Sequence, residues 1–304
     1  MTTSAKNQIF RAGLVQMCSG RDVDKNVDDA TDLIRQAAAQ GAQYVQTPEV
    51  TTFMDLDRDA LIRACQTQKH NTALKAFQNL ADELKIWLHI GSMAILLEDA
   101  PNATNAEHLD VQLFANRSFL IAPDGRIAAT YDKIHMFDVT LKNGETYEES
   151  KNYRPGDKAV VAKTPWGGLG MTICYDLRFP QLHRTLAKAG AKFITIPAAF
   201  TKTTGQAHWH TLVRARAIET QCFIFAATQG GRHENGRDTY GHALIVSPWG
   251  DIIAEGGSDP GIITADIDLK LIDEARSSIP SLSHDRLFDV TMIKAKNDTP
   301  EPCP

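Results

Sequence analysis

Three short stretches carry residue types that can do chemistry together. In "GMTICYDLRFP" an apolar run ends in Cys174, and polar residues follow at once. An unpaired cysteine is usually a small buried hydrophobe, but a thiol at the seam between a buried run and a charged turn is also placed to be a nucleophile. A nucleophilic thiol needs help in forming its thiolate and a base to manage protons. None of the ten histidines stands at a spacing that singles it out as that base. His208 and His210, in "AHWH", are two residues apart, point to different faces of a helix and make a poor metal pair, so no metal and no cofactor are expected. Carboxylates and lysines remain. Glu49 follows Pro48 in "TPEV", and Lys133 sits in "YDKIHMF". Taken singly, such a glutamate is ordinarily solvated and such a lysine snorkels at a strand edge. With Cys174 they form a set: the lysine would lower the thiol pKa and hold a developing oxyanion, and a buried glutamate would move protons.

Those residues need strand ends to hold them. "FRAGLVQM" reads as a strand and "VDKNVDDATDLIRQAAAQ" as an amphipathic helix. "QYVQTPE" is a short strand stopped by Pro48, and a long helix is expected from about Asp57 to Lys85, followed by the strand "IWLHIGSMAIL". "RSFLIAPDGRIAATYDK" is a hairpin around Pro-Asp-Gly, and "ALIVSPWGDIIAEGG" repeats that plan. "FIFAATQ" and "GIITADID" complete the strands, giving an α/β protein with mixed sheets. "AAQGAQYVQTP" (Ala38–Pro48) and "AKAGAKFITIP" (Ala187–Pro197) echo each other: a helix end with Gly, a strand, then Pro. That is either an ordinary αβ corner or the mark of two related halves. In α/β folds chemistry collects at the carboxyl ends of such strands.

The balance of 43% apolar and 23% charged residues is that of a soluble protein with a sizeable core. A net charge of −5 without a basic cluster excludes nucleic acid as an expected partner. No run reaches the roughly 18 apolar residues of a membrane span, and the first residues lack a signal-peptide core. Five scattered cysteines without a CxxC pair argue against a disulfide framework, so a cytoplasmic setting is expected. Residues 9–290 read as a single domain, with a flexible N-terminus over 1–8 and a loose tail over 291–304.

"TPEV", "YDKIHMF" and "GMTICYDLRFP", in that order, resemble the signature segments of the nitrilase superfamily of carbon–nitrogen hydrolases, over about Phe10 to Asp289. "YEESKNYRPGD", "TTGQAHWHTLVRARAIETQ" and "QGGRHENGRDTYGHALIVSPWGD" resemble its Nit branch, and the last looks more like the deaminated-glutathione amidase side than the ω-amidase side. One departure is Thr47, where many members carry an aromatic. The resemblance implies a four-layer αββα sandwich of two mixed sheets, a homodimer or larger assembly, and hydrolysis of a primary amide of a small carboxylate-bearing substrate through a cysteine thioester. It implies Cys174 as nucleophile, Lys133 and the Tyr175 N–H as oxyanion donors, Glu49 as the proton carrier, and Glu149 as the residue orienting Lys133. Arg178 is a candidate for pairing a substrate carboxylate, or else for a structural pairing with Asp176 or another carboxylate. Thr204 is a candidate substrate-facing hydroxyl, or else a helix N-cap. The alternatives are an ω-amidase acting on α-ketoglutaramate, an N-carbamoyl amino acid hydrolase, and a non-catalytic scaffold on the same fold.

Overall fold

A computed structural model describes residues 9–99, 113–141 and 144–292; the expected N-terminal and most of the expected C-terminal tail lie outside them. In chain order the strands are β1 (Ile9–Gln16), β2 (Tyr44–Gln46), β3 (Trp87–Leu96), β4 (Phe114–Ile121), β5 (Ile127–Asp132), β6 (Asp138–Thr140), β7 (Thr146–Glu148) and β8 (Val160–Thr164). They continue with β9 (Gly167–Met171), β10 (Ala191–Thr195), β11 (Phe223–Ala226), β12 (Gly230–Arg232), β13 (Asp238–Tyr240), β14 (Leu244–Val246), β15 (Ile252–Glu255) and β16 (Gly261–Asp268). The helices are α1 (Val23–Ala39), α2 (Arg58–Ala64), α3 (Thr72–Leu84), α4 (Pro180–Lys188), α5 (Lys202–Thr220) and α6 (Lys270–Ser278).

Two six-stranded sheets carry the fold, ordered β16-β1-β2-β3-β4-β5 and β15-β14-β11-β10-β9-β8. Alternation along β1 explains the layering. Phe10, Ala12 and Leu14 point into a core shared with Met171, Phe193 and Phe225 of the other sheet, whereas Val15 packs with Ala30, Ile34 and Ala37 of α1. Each sheet is therefore buried on both faces, with α1 and α3 outside one and α4 and α5 outside the other. This is the expected αββα sandwich.

The expected long helix from Asp57 to Lys85 is two helices. Asp57 caps α2, but Gln66 and Thr67 are drawn into bridging contact with Leu96 at the end of β3, which takes the chain out of helical geometry. Asn71 then restarts it, its side chain accepting from the Leu74 N–H at 2.8 Å. The two echoing stretches do lie in equivalent places. Each enters its strand through a glycine with positive φ, Gly41 (86°) and Gly190 (96°). Each then leaves through a proline at the inner end of a parallel strand.

Candidate active site

Glu49, Lys133, Glu149 and Cys174 line one cleft between the carboxyl ends of the two sheets. Each arrives on a turn with a physical constraint. Glu49 follows β2, where Val50 takes a left-handed φ of 50° and the Glu49 carbonyl is held by Gln229 Nε2 at 3.0 Å. Cys174 lies three residues past β9 rather than at its end. It too is left-handed (φ 47°), with its N–H donated to the Pro197 carbonyl at 2.9 Å. Sparsely populated backbone of this kind persists only where the surroundings over-determine it. Asp176 is one such determinant. Fully buried, it accepts from the Ile173 N–H (2.9 Å) and Tyr131 hydroxyl (2.6 Å) on one oxygen and from His135 N–H and Nδ1 on the other. It thereby ties the cysteine turn to the segment just beyond Lys133.

Neither Glu49 nor Lys133 is a surface residue: they are 4% and 2% exposed. Lys133 Nζ donates to Glu49 Oε1 at 2.9 Å and to both oxygens of Glu149 at 2.9 and 2.8 Å. Asn116 Nδ2 bridges the same two carboxylates at 3.1 and 3.0 Å, and the Ala199 N–H reaches Glu49 Oε2 at 2.8 Å. The Cys174 thiol lies close enough to Glu49 to feel its charge. Burial opposes charge on Lys133, but Glu149 and Glu49 outweigh it and hold the ammonium well above its ordinary range. Burial likewise pushes Glu49 up, and Lys133 overcomes it, leaving the carboxylate below its usual value.

The thiol corrects the sequence expectation. Burial raises Cys174, Glu49 raises it further, and Lys133 lowers it without prevailing. With one ammonium against two carboxylates, ionising the thiol would add a second net negative charge to a buried site. The resting site therefore holds a neutral thiol beside the carboxylate, not a preformed thiolate.

Of the remaining residues singled out in the sequence, all three line the cleft. Tyr175 packs edge-on against Phe137 at 5.1 Å. Arg178 does not pair with Asp176, whose oxygens are occupied. Its guanidinium lies over Phe200 at 5.2 Å and 3.4 Å from His208 Nδ1, with no carboxylate partner among the described residues. Thr204 is not the cap of α5. That role belongs to Thr201, one turn earlier, whose hydroxyl lies 2.8 Å from that of Thr204. Two further residues were not anticipated. Asn116 sits inside β4, where an asparagine facing the same way as Phe114 and Ser118 was the available signal. Arg237 donates to the Ala199 carbonyl, stacks over Tyr147 at 5.1 Å, and leaves a buried Nε without a partner.

With this geometry in view, the comparisons give the class. The carbon-nitrogen hydrolase family model matches residues 11–277, and the chain belongs to that family, whose members are hydrolases acting on amides. It is 39% identical over 289 residues to the deaminated glutathione amidase of Yersinia enterocolitica, covering 94% of this chain and 96% of that one. With the human deaminated glutathione amidase it shares 34% over 285 residues, 93% and 84% of the two chains. Among solved structures, the Caenorhabditis elegans NitFhit protein matches with a TM-score of 0.81 at 34% identity, over 91% of this chain and 65% of that one. Saccharomyces cerevisiae Nit3, a member of branch 10 of the nitrilase superfamily, matches with 0.78 at 27%, over 92% and 97%.

Proposed function

We propose that this amidase uses Cys174 as its nucleophile, and that its substrate is a small anionic amide of the deaminated glutathione type. The observation that carries the mechanism is a buried Cys174 thiol lining the same cleft as a Glu49 carboxylate that is itself fixed by Lys133. Glu49 takes the thiol proton as Cys174 attacks the carbonyl carbon. The two events are coupled, because neither group's resting pKa favours a free thiolate. Negative charge developing on the carbonyl oxygen is met by the Lys133 ammonium and the Tyr175 N–H. Glu149 holds that ammonium in place from the far side. Glu49 then returns the proton to the leaving nitrogen, the C–N bond breaks, and an acyl thioester remains on Cys174. Water, deprotonated by Glu49, attacks the thioester and releases the acid and the thiol.

Arg178 and Arg237, cationic and without carboxylate partners among the described residues, support an anionic substrate. The constitution of deaminated glutathione alters one expectation. Both of its amides are secondary, so the group that leaves is an amine carrying the cysteinylglycine part, not ammonia. A homodimer or larger assembly in the cytoplasm belongs to the same reading, supported by exposed Trp249, between β14 and β15, and exposed Ile218, near the end of α5. The deciding experiment is intact-mass analysis of Glu49→Gln mixed with deaminated glutathione. An accumulating acyl adduct on Cys174, absent in Cys174→Ala, is expected. No adduct, with full turnover in Cys174→Ala, would remove the nucleophile assignment.

A further inference from the structure

Away from the cleft, three metal-ligating side chains from three elements converge on one point. His210 projects from α5, His242 from the turn between β13 and β14, and Glu255 from the end of the edge strand β15. His210 Nε2 and His242 Nδ1 each lie 2.9 Å from the same oxygen, Glu255 Oε1, and the three donor atoms lie within 4.8 Å of one another. The backbone holds them there. His242 takes a left-handed φ of 57°, which histidine tolerates better than most residues, and its ring stacks on Tyr240 at 4.3 Å. Its carbonyl accepts from Trp209 Nε1 at 2.8 Å, which ties the His242 turn to the residue before His210. Among the described residues the ion-pair partners of Glu255 are these two imidazoles, with no lysine or arginine competing. The side chains are 29–37% exposed, so an ion has access without a deep desolvation cost.

We propose that His210, His242 and Glu255 form a binding site for a divalent transition-metal ion of the zinc class, with water completing the shell. Two imidazole nitrogens and one carboxylate oxygen are a borderline donor set that suits zinc, cobalt or nickel, whereas calcium and magnesium select all-oxygen shells. Without an ion, both rings must direct an N–H at a single carboxylate oxygen. An ion replaces those two contacts with three coordinate bonds. A tetrahedral centre with bonds of about 2.0–2.1 Å spaces its donors about 3.3 Å apart, a spacing that side-chain rotation reaches from the present one. His210 and His208, two apart on one helix, could not have indicated this, because the partners of His210 come from across the fold. The first turn of α5 carries Thr204, and its cap Thr201 also lines the cleft. A bound ion would therefore clasp the cleft-bearing helix to β15.

The test uses the full chain with Cys174→Ala, which removes the cleft thiol as a rival ligand, and it reads metal content rather than turnover. It is therefore independent of the proposed reaction. Equilibrium dialysis against Co²⁺ is expected to load one equivalent with visible ligand-field bands of a four- or five-coordinate centre, and Zn²⁺ to displace it and raise Tm. Mg²⁺ and Ca²⁺ should do neither. His210→Ala, His242→Ala and Glu255→Gln should each weaken Co²⁺ binding at least about tenfold and remove the Tm rise, while His70→Ala changes nothing. Glu255→Gln keeps an acceptor for both rings, so it reports even if an alanine variant misfolds. No bound equivalent would overturn the proposal, leaving only an ion-paired carboxylate. Binding that survives Glu255→Gln undiminished would overturn it equally.

Discussion

Replacing Glu149 by glutamine tests the electrostatics of the site with almost no change in side-chain volume. Four donor contacts converge on this carboxylate: Lys133 Nζ at 2.9 and 2.8 Å, Asn116 Nδ2 at 3.0 Å and the Phe137 N–H at 2.7 Å. A carboxylate accepts at both ends, but a carboxamide donates at one, so glutamine must face an NH₂ group toward a donor whichever way it is turned. Unit charges 2.8 Å apart attract by roughly 6 kcal/mol at an effective dielectric of about 20. Once the burial cost already borne by the pair is included, breaking one side of it costs about 3–5 kcal/mol. Urea unfolding of Glu149→Gln should show a loss near the lower end of that range, because Lys133 keeps Glu49. With the proposed oxyanion donor, Lys133, misplaced, kcat for acid release should fall about 10²–10³-fold with KM little changed. The thiol supplies a signature that lost stability alone would not produce. With Glu149 neutral, ionising Cys174 takes the site from zero to −1 instead of from −1 to −2. The thiol pKa therefore falls, and alkylation by iodoacetamide at neutral pH accelerates. A folded variant with an unchanged alkylation profile, or with turnover within tenfold of the parent, would refute the reasoning.

His89, fully buried between the Tyr44 hydroxyl (2.9 Å) and Ser118 Oγ (2.6 Å), is pushed down by burial to about 3. Its folded value lies below the unfolded one near 6.5, so the unfolded chain takes the proton first. The stability it contributes is complete above pH 6.5 and is lost at about 1.4 kcal/mol per unit as pH falls toward 3. Urea titrations at pH 6.5, 5.5 and 4.5 should show a slope shallower by that amount in His89→Gln, and parallel slopes would rule the histidine out. A Cβ on Gly91 would lie 2.2 Å from the Thr47 carbonyl oxygen, 2.4 Å from that of Pro48 and 2.5 Å from Pro197 Cβ. Gly91→Ala should therefore cost about 3 kcal/mol or more and displace the Glu49 turn, lowering kcat; a variant unfolding and turning over like the parent would contradict that crowding. Arg178→Met should lower kcat/KM for anionic amides by about 2–3 kcal/mol and much less for neutral ones. Equal losses on both would make Arg178 structural.

Much of this was legible in the chain because it rests on local pattern. The apolar run "FRAGLVQM" reads as a strand and Pro-Asp-Gly as the hairpin that delivers Lys133, and the structure has both. The break between α2 and α3 was not visible, because helix propensity lost to a tertiary bridge with Leu96. The raised thiol pKa was not visible either. The sequence places one lysine near one cysteine, and only the fold shows that two carboxylates already claim that lysine. Asn116 and Arg237 act through partners 33 to 67 residues away or through a backbone carbonyl, where spacing carries no signal.

The echo between Ala38–Pro48 and Ala187–Pro197 turns out to be the visible edge of a repeated half. Each sheet has the same succession of directions: an antiparallel edge strand, three mutually parallel strands, then two antiparallel ones. The match extends to single bonds. The residue before each proline donates to the neighbouring parallel strand, Thr47 to the His89 carbonyl at 2.9 Å and Ile196 to that of Phe225 at 2.8 Å. With the prolines superposed in register, Glu49 corresponds to Ala198, and the chemistry is therefore not repeated. One half supplies the carboxylate after its middle parallel strand. The other supplies, at the equivalent turn, only backbone: the Pro197 carbonyl that accepts from Cys174 and the Ala199 N–H that holds Glu49. The thiol comes instead from the strand beside that turn. A duplicated scaffold thus provides two facing strand ends, and the site arises where their side chains differ. That is why a symmetric pattern could reveal the fold while the reactive residues had to be read one by one.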